Sequence, residues 1–417
     1  MSLLQSRGAI SMNNVLARLN NLETIRSRAH QLLALAKEDK LNYFSLHQEK
    51  MAPTASFIMD VITKNYPTLD IPYHSRWRHF EVGGLDRISK MMATLSHLPA
   101  KDQGKILYEL VIISVFLDAG AGARWRYWEE ESQQYYTRSE GLALASLKLY
   151  QSGMLSSMAN EPFRVDAQKL IEFTETDLSK AFQVTQDNPL EGLKGRVALL
   201  NHLGRIVKTQ QACFGEQGRL GDFYSYVLSL AKEHSLSAIN LFEAVLKAFN
   251  RIWPQRLSYE GTSLGDVWIH SALKTEQAGS EFMPFHKLSQ WLSYSLIEPL
   301  EQTGIQVQDI DKLTGLPEYR NGGLLIDTGL LSLKDEAMLT QAHEPSSELI
   351  VEWRALTVAL LDELAQLIRQ QLHKDALSLP LAKILQGGTW EAGRQIAKQK
   401  REGGTPPLQI ISDGTVF

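Results

Sequence analysis

Residues 282–300 read FMPFHKLSQWLSYSLIEPL, and the spacing of the apolar side chains in this stretch indicates a helix. At about 100° per residue, one side of the helix carries apolar groups and the opposite side carries polar and aromatic ones. The apolar side consists of Phe285, Leu288, Leu292 and Leu296, and the opposite stripe consists of Lys287, Gln290, Tyr294 and Glu298. This pattern predicts an amphipathic helix over 284–300.

The same helical period recurs along most of the chain. Apolar residues at intervals of three and four run from Val15 to Ala36, which predicts a further amphipathic helix. Similar patterns occupy 85–97, 104–117, 139–150, 191–209, 222–231, 236–250, 346–373 and 390–401. Only Leu324–Ile326 and Leu408–Ile411 resemble short strands. The sequence therefore predicts a mainly α protein with few or no short strands.

The length of the chain allows one large hydrophobic core. We predict a single α-helical domain over 1–417, because no low-complexity segment or internal repeat divides the sequence. The Gly- and Gln-rich segment Phe214–Gly221 is typical of a surface loop. If this loop separates helical subdomains, they cover about 1–210 and 220–417.

Composition excludes several classes of partner. The net charge of −4 argues against a nucleic-acid backbone or an anionic membrane as the main partner. The longest apolar run, Ile106–Leu117, contains Glu109 and is shorter than the roughly 20 residues that span a bilayer. The single Cys213 excludes an intramolecular disulfide. We expect a soluble cytoplasmic protein, and the sequence leaves its oligomeric state open.

Two residues at the helix 284–300 suggest that its polar stripe is enclosed. His286 lies beside the stripe and Trp291 borders it. Lysine, amide and phenol groups next to an indole favour a polar pocket that binds a ligand. The alternative is a solvated outer face of the helix.

The segment 313–327, LTGLPEYRNGGLLID, predicts a rigid turn that carries polar groups. Pro317 restricts the residue before it to extended geometry, and Gly322 and Gly323 permit unusual backbone angles. A carboxylate held on such a turn suits a general base or a stabiliser of positive charge. The polar side chains are Glu318, Tyr319, Arg320 and Asn321. The alternative is a structural ion pair, either Glu318 with Arg320 or Asp327 with an arginine.

Two charged residues interrupt the apolar helix predicted over 346–373. Glu352 and Arg354 are two positions apart, so they point about 200° away from each other and cannot pair directly. At least one of them must face inward and needs a buried partner. Structural support and direct contact with a substrate both remain open for this pair.

A second candidate site follows the apolar run at 106–117. In LDAGAGARWRYWEEE, residues 117–131, Asp118 is a candidate carboxylate, and Trp125 lies between Arg124 and Arg126. Aromatic and guanidinium groups in this order can stack on a planar ligand and hold an anion. The alternative is an aromatic core with surface arginines.

Motifs for cofactors and metals are missing from the sequence. It contains no GxGxxG, no Walker loop, no CxxC and no HExxH, which are the patterns that dinucleotide, nucleotide and zinc sites require. His74 and His79 have no further ligand residues at suitable spacing. We expect neither a metal nor a cofactor.

Seven stretches together resemble the uracil-catabolism protein 4 family. They are SRWRHFEVGG (75–84), LDAGAGARWRYWEEE (117–131), RSEGLALAS (138–146), MPFHKLSQWLSYSLIEPL (283–300), LTGLPEYRNGGLLID (313–327), VEWRALTVALLDE (351–363) and SDGTVF (412–417). The resemblance covers most of the chain. It implies a role in a pathway that degrades uracil through a ribosylated intermediate and releases urea. Residues 412–417 are expected to form a tail docked on the body of the protein.

A more distant resemblance concerns the reaction. The segments FHKLSQ (285–290), EYR (318–320) and EWR (352–354) are similar, in the same order, to F-Y-K-R-A-Q, D-Y-R and E-I-R of the queuosine-salvage N-glycosidases. This resemblance implies a helical core like that of DNA glycosylases. Lys287 would bind the phosphate or ribose of the substrate, and Glu318 would replace the catalytic aspartate. His286 and Leu288 depart from the tyrosine and arginine of that pattern, so a different leaving group is expected.

These resemblances lead to an N-glycosidase hypothesis, in which the bond between ribose and urea is hydrolysed in ribosylurea or its 5′-phosphate. Glu318 would stabilise the oxocarbenium-like transition state, with Asp327 or Asp118 in reserve, and His286 or Tyr319 would donate a proton to urea. The expected substrate contacts are Lys287, Gln290, Tyr294, Arg320, Asn321, Asp327, Asp118, Trp125, Trp291, Glu352 and Arg354. The alternatives are a non-catalytic carrier of a pathway intermediate and a hydrolase of the ureido amide.

Overall fold

Helices carry most of the buried apolar side chains in the computed structural model, which describes residues 15–253 and 257–411. The chain divides into two units. The first unit comprises the described parts of Met1–His74, Gln255–Gln290 and Asp309–Phe417, and the second comprises those of Ser75–Pro254 and Trp291–Gln308. The mainly α class is confirmed. The predicted number of domains stays a prediction, although residues 210–220 lie inside the second unit and do not mark a boundary between the two units.

The helices of the first unit surround one long central helix, Glu348–Leu372. Its side chains are buried over most of its length, and the helices Leu22–Lys37 and Met51–Asn65 pack against it. The other helical segments are 15–19, Tyr319–Asp327, Leu381–Ile384 and Trp390–Lys400, with a π-helical turn at Leu385–Thr389 and 3₁₀ turns at Gln48–Lys50, Ser271–Leu273, Ile310–Lys312, Glu336–Thr340 and Glu402–Gly404.

Short strand pairs tie distant segments of the first unit together. Phe44–Leu46 pairs antiparallel with Leu331–Leu333, and Ala342–His343 pairs parallel with Gln409–Ile410. Two hairpins precede the helix Lys287–Gln302. They are Ser258–Tyr259 with Thr262–Ser263, and Val267–Ile269 with Phe282–Pro284. The second hairpin ends just before Lys287 and thereby places the start of that helix.

The second unit is built around the apolar helix Ala100–Phe116. It packs against Arg138–Gln151 and Asp222–Leu228. The remaining helical segments are Trp77–Phe80, Arg87–Thr94, Ala167–Glu172, Glu175–Ala181, Leu193–Thr209, Gln211–Phe214, Ala238–Phe249, the 291–302 part of Lys287–Gln302, and 3₁₀ turns at Val82–Gly84 and Asn250–Ile252. The strand pairs are Tyr127–Glu129 with Gln134–Tyr136, antiparallel, and Ser235–Ser237 with Gln306–Gln308, parallel.

Two predicted elements are wrong in their details. The helix predicted over 15–36 is interrupted after 15–19, because the side chain of Asn21 accepts hydrogen bonds from the N–H groups of Glu23 and Thr24 and starts a new helix. Leu324–Ile326 is not a strand but belongs to the helix Tyr319–Asp327. The strand predicted near Leu408–Ile411 is confirmed at Gln409–Ile410.

The glycines of segment 313–327 allow close packing and do not form a turn. A Cβ on Gly322 would lie 2.7 Å from the indole of Trp353. A Cβ on Gly393, in the neighbouring helix Trp390–Lys400, would lie 2.3 Å from the carbonyl oxygen of Arg320. The predicted turn is therefore a helix whose backbone approaches its neighbours directly.

Among the described residues, no helix combines the length and the apolar composition that crossing a bilayer demands. The terminal motif SDGTVF, for which a docked tail was predicted, lies outside the described residues.

Candidate active site

The start of the helix Lys287–Gln302 forms one side of the candidate site in the first unit. The residue before it, His286, is buried and has φ = 46°, a left-handed backbone angle that is uncommon outside glycine. Its Nε2 donates to the carbonyl oxygen of Leu19 at 3.0 Å. Burial lowers the pKa of His286. A neutral imidazole locked in this way supports a strained turn, such as those found at functional sites.

A buried aspartate that the sequence analysis did not single out supports the same turn. Asp266 accepts hydrogen bonds from Arg354 Nη1 at 2.8 Å and Nη2 at 2.9 Å, from Trp268 Nε1 at 2.6 Å, and from the backbone N–H of Lys287 at 2.9 Å. Burial alone would raise the pKa of Asp266, but Arg354 and the N–H donors hold it well below its usual range. Asp266 is therefore an anion that connects three separate segments of the first unit.

Arg354 reaches this cluster from the central helix Glu348–Leu372. Its guanidinium carbon lies 4.0 Å from the ring centroid of Phe285, in addition to its paired contact with Asp266. Arg354 is buried and has a buried partner, as predicted from its position in an apolar helix. It holds the residues just before Lys287 in place.

Glu352, two positions earlier, faces a different part of the first unit. Its Oε1 accepts from the N–H groups of Tyr43 at 3.1 Å and Phe44 at 2.8 Å, and its Oε2 lies 3.2 Å from His270 Nε2. The prediction that Glu352 and Arg354 do not pair with each other is confirmed. Glu352 anchors the strand Phe44–Leu46 to the central helix.

The second side of the site is the N-terminus of the helix Tyr319–Asp327. Glu318 is the N-cap of this helix, where Oε2 accepts from Arg320 N at 2.7 Å and Oε1 from Asn321 N at 2.6 Å. Burial raises the pKa of Glu318, while these N–H groups and the positive charges of Lys287 and Arg320 act in the opposite direction. The result is a buried carboxyl whose proton affinity is increased and which lies within the electrostatic field of Lys287.

Of the two ion pairs proposed for segment 313–327, the Asp327 pair forms and the Glu318–Arg320 pair does not. Arg320 Nη1 donates to the carbonyl oxygen of Gly404 at 2.8 Å, and its guanidinium lies 5.0 Å from the ring centroid of Tyr319. Glu318 and Arg320 therefore form no side-chain hydrogen bond. Asp327, in contrast, is paired with Arg401 at 2.7 and 2.5 Å, as the structural alternative predicted.

Two buried amides connect the two sides of the site. Gln290 Oε1 accepts from Thr314 N at 2.7 Å, and its Nε2 donates to Thr314 Oγ1 at 2.7 Å and to the carbonyl oxygen of Phe285 at 3.1 Å. Asn321 Nδ2 donates to the carbonyl oxygen of Leu316 at 3.1 Å, and its Oδ1 accepts from Thr389. These amides fix the backbone that carries Lys287 and Glu318, a function that the sequence did not reveal.

Four of the predicted site residues lie in the second unit. Trp291 and Tyr294 are buried on the helix Lys287–Gln302, so the solvated alternative is wrong for these two positions. Asp118 is paired with Arg76 at 2.9 Å. Trp125 is fully buried, donates from Nε1 to the carbonyl oxygen of Phe182 and stacks on its ring, as the aromatic-core alternative predicted.

A serine-hydrolase pattern, GxSxG, occurs at Gly261–Gly265 but has the wrong structural context. Ser263 lies in the second strand of the hairpin Ser258–Tyr259 with Thr262–Ser263. A nucleophile elbow requires a sharp turn from a strand into a helix. Within 15–253 and 257–411, moreover, no group of three or more His, Cys, Asp or Glu side chains could hold a metal ion.

The site can therefore supply a cation and a carboxyl of raised pKa on a rigid frame. Lys287, half-buried at a helix start, supplies the cation, and Glu318, the N-cap of another helix, supplies the carboxyl. The frame consists of Asp266, Arg354 and Gln290. Such a pair suits proton transfer or stabilisation of positive charge next to a bound polar substrate.

Comparison with known proteins places this chain among close relatives. A family model described as "Protein of unknown function (DUF1688)" matches residues 18–417. Protein urg3 of Schizosaccharomyces pombe is 38% identical over 410 residues, which cover 96% of this chain and 98% of that protein. Uracil catabolism protein 4 of Lachancea kluyveri is 36% identical over 443 residues, which cover 98% of this chain and 100% of that protein. The resemblance of the seven sequence stretches to the uracil-catabolism protein 4 family is thereby confirmed.

Proposed function

Because the chain belongs to the DUF1688 protein family, whose relative in Lachancea kluyveri is named for uracil catabolism, we propose that it acts in uracil catabolism as an N-glycosidase. Its substrate is a small ribosylated molecule, ribosylurea or the 5′-phosphate of ribosylurea. The observation that carries this proposal is the buried Glu318 carboxyl, of raised pKa, in the field of Lys287. Neither a nucleic acid nor a membrane takes part.

The reaction breaks the bond between ribose C1′ and the urea nitrogen and forms a bond between C1′ and a water oxygen. As the nitrogen departs with the bonding electrons, positive charge develops on the ribosyl ring. Ionised Glu318 stabilises this charge, orients the attacking water and accepts its proton. The raised pKa of Glu318 supports the last step, because a stronger base takes the proton of water more readily.

The departing urea nitrogen needs a proton, and two neighbouring side chains were predicted to supply it. Tyr319 directly follows Glu318 and is half-buried at the first position of its helix. His286 already donates from Nε2 to the carbonyl oxygen of Leu19. We therefore favour the phenol of Tyr319 as the donor, with His286 holding the turn before Lys287.

Recognition of a phosphate falls mainly to Lys287. Arg320 donates to the carbonyl oxygen of Gly404 and contacts the ring of Tyr319, so its charge contributes from farther away. A lysine ammonium acts as a point charge on a phosphate and needs no fixed orientation. Gln290 and Asn321 assist by fixing the backbone on either side of the bound substrate.

The experiment compares wild type with Glu318→Gln, using ribosylurea and ribosylurea 5′-phosphate as substrates. Free urea, free sugar and ammonia are measured. We expect wild type to release urea, and Glu318→Gln to lose activity by about 10²–10⁴-fold, the range typical of a general acid or base. The matched control is Glu363→Gln, the same chemical change at a surface ion pair with Lys37 in the first unit, which should retain activity.

Other outcomes contradict the proposal in different ways. Ammonia and carbon dioxide in place of urea would show that the ureido amide is hydrolysed. Saturable binding without any product would show that the protein is a carrier of a pathway intermediate. Normal turnover in Glu318→Gln would remove Glu318 from the mechanism.

A further inference from the structure

A fully buried arginine in the second unit lies apart from the residues used above. Arg76 directly precedes the short helix Trp77–Phe80, and its side chain has 0% exposure. Its Nε donates to Ser114 Oγ at 2.8 Å, and the same hydroxyl accepts from Ser146 Oγ at 2.7 Å. The backbone N–H of Arg76 donates to Ser295 Oγ at 3.0 Å. The stem of this arginine is therefore held in one position.

The two outer nitrogens of the same guanidinium, Nη1 and Nη2, lack such hydrogen-bond partners. Arg76 Nη1 lies 2.9 Å from Asp118 Oδ2 in an ion pair, but neither Nη1 nor Nη2 has a hydrogen-bond acceptor in good geometry among the described residues. A buried donor without an acceptor destabilises the folded protein, and a charged donor does so more strongly. Native structures rarely keep such donors unless a water or a ligand accepts from them.

Another buried arginine of the second unit, Arg87, provides a contrast to Arg76. Arg87 donates from Nε and Nη2 to Glu129 at 2.9 and 3.1 Å, and from Nη1 to the carbonyl oxygens of Phe80 and Val82. Each nitrogen of that guanidinium has an acceptor. Arg76 differs because Asp118 is the single carboxylate that the described residues place within ion-pair distance of its outer nitrogens.

The charges around Arg76 indicate what kind of group would fit. The carboxylates of Asp118 and Glu140 both act electrostatically on Arg76. Arg196 lies near Asp118 but uses its guanidinium to bind the carbonyl oxygens of Leu117, Ala119 and Gly120. Two arginines and two carboxylates balance, so a phosphate or another anion would add unpaired negative charge. A neutral group is favoured.

We infer that Arg76 and Asp118 form a binding site for a ureido or primary carboxamide group. The carbonyl oxygen of such a group accepts from the Nη atoms of Arg76, and its N–H donates to the carboxylate of Asp118. Asp118 has a side-chain exposure of 13%, so the group approaches the buried arginine from this side. The site lies within the second unit and does not depend on the reaction proposed for Glu318 and Lys287.

The test is a titration of the full chain with urea and with acetamide, followed by ligand-observed NMR. Urea and acetamide have four non-hydrogen atoms each, so the limit on binding free energy per atom allows a Kd no tighter than about 40 μM. Arg76→Lys keeps the charge but loses the planar fork, and Asp118→Asn loses the anionic acceptor. Each should weaken binding at least tenfold, or ~1.4 kcal/mol. Arg87→Lys, the same change at the satisfied arginine, should bind as wild type does.

Two variants are used so that the test still gives a result if one of them does not fold. Arg76 is buried, so circular dichroism must establish that Arg76→Lys is folded. Asp118 is partly exposed, so Asp118→Asn provides a second measurement if Arg76→Lys does not fold. The inference is overturned by unchanged binding in a folded variant, by the absence of saturable binding in wild type, or by competition from inorganic phosphate. Since the titration measures binding without turnover, its result is independent of whether Glu318 catalyses a reaction.

Discussion

Replacing Asp266 with asparagine should strongly destabilise the first unit. The substitution keeps the shape of the side chain but removes its charge, and it turns one acceptor oxygen into an N–H₂ donor. Arg354 then remains buried, with 1% side-chain exposure, opposite a neutral amide. The donors that now converge on Asp266 from Trp268 and from the backbone of Lys287 cannot all be satisfied by one remaining oxygen.

The expected magnitude follows from the burial of this ion pair. Removing one partner of a buried pair costs about 3–5 kcal/mol, because the other charge stays buried without compensation. The pKa of Asp266 is depressed in the folded protein. Its contribution to stability is therefore present above the unfolded-state pKa of about 3.9 and is lost as the pH falls through the folded-state value. The difference in the free energy of unfolding between wild type and variant should be largest at neutral pH and should shrink in strong acid.

Hydrogen exchange at the amide of Lys287 measures this effect locally, which matters because a chain of two units need not unfold in one step. We expect faster exchange at that amide together with a lower free energy of unfolding in denaturant. Asp60→Asn, at an exposed position of the helix Met51–Asn65 in the first unit, is the matched control. A loss below about 1 kcal/mol in Asp266→Asn would contradict the role given to the Asp266–Arg354 pair.

Two further predictions concern packing and pH. Gly322→Ala should lower the free energy of unfolding in denaturant by about 1–3 kcal/mol, because the added Cβ would lie 2.7 Å from Trp353. Gly195→Ala is the control, since this helical glycine has open space around it, and it should be neutral or stabilising. Equal losses in both variants would refute the packing argument. Burial raises the pKa of Glu318, so wild type loses stability as the pH rises from about 4.3 through the folded-state pKa. In the same unfolding measurement, Glu318→Gln should therefore gain stability relative to wild type as the pH rises above about 4.3, and a pH-independent difference would count against the raised pKa.

Much of the helical architecture could be predicted from local patterns. The helix predicted over 346–373 is found at Glu348–Leu372, because a repeat of three and four residues determines which face of a helix is apolar. The need of Arg354 for a buried partner followed from the same pattern. The identity of that partner did not, since Asp266 lies 88 positions away in the sequence and no local motif marks it.

The sequence by itself determined the mainly α class, the family and the pairing requirements of residues such as Arg354, because helical period and motif spacing are local properties of the chain. The tertiary structure alone decided that Glu318 is a helix cap, that Gly322 makes room for Trp353, and that Asp266 supports Lys287. Each of these depends on which distant segment packs against the residue. A hydrogen bond or close contact of this kind has no period in the sequence, so only the folded chain determines it.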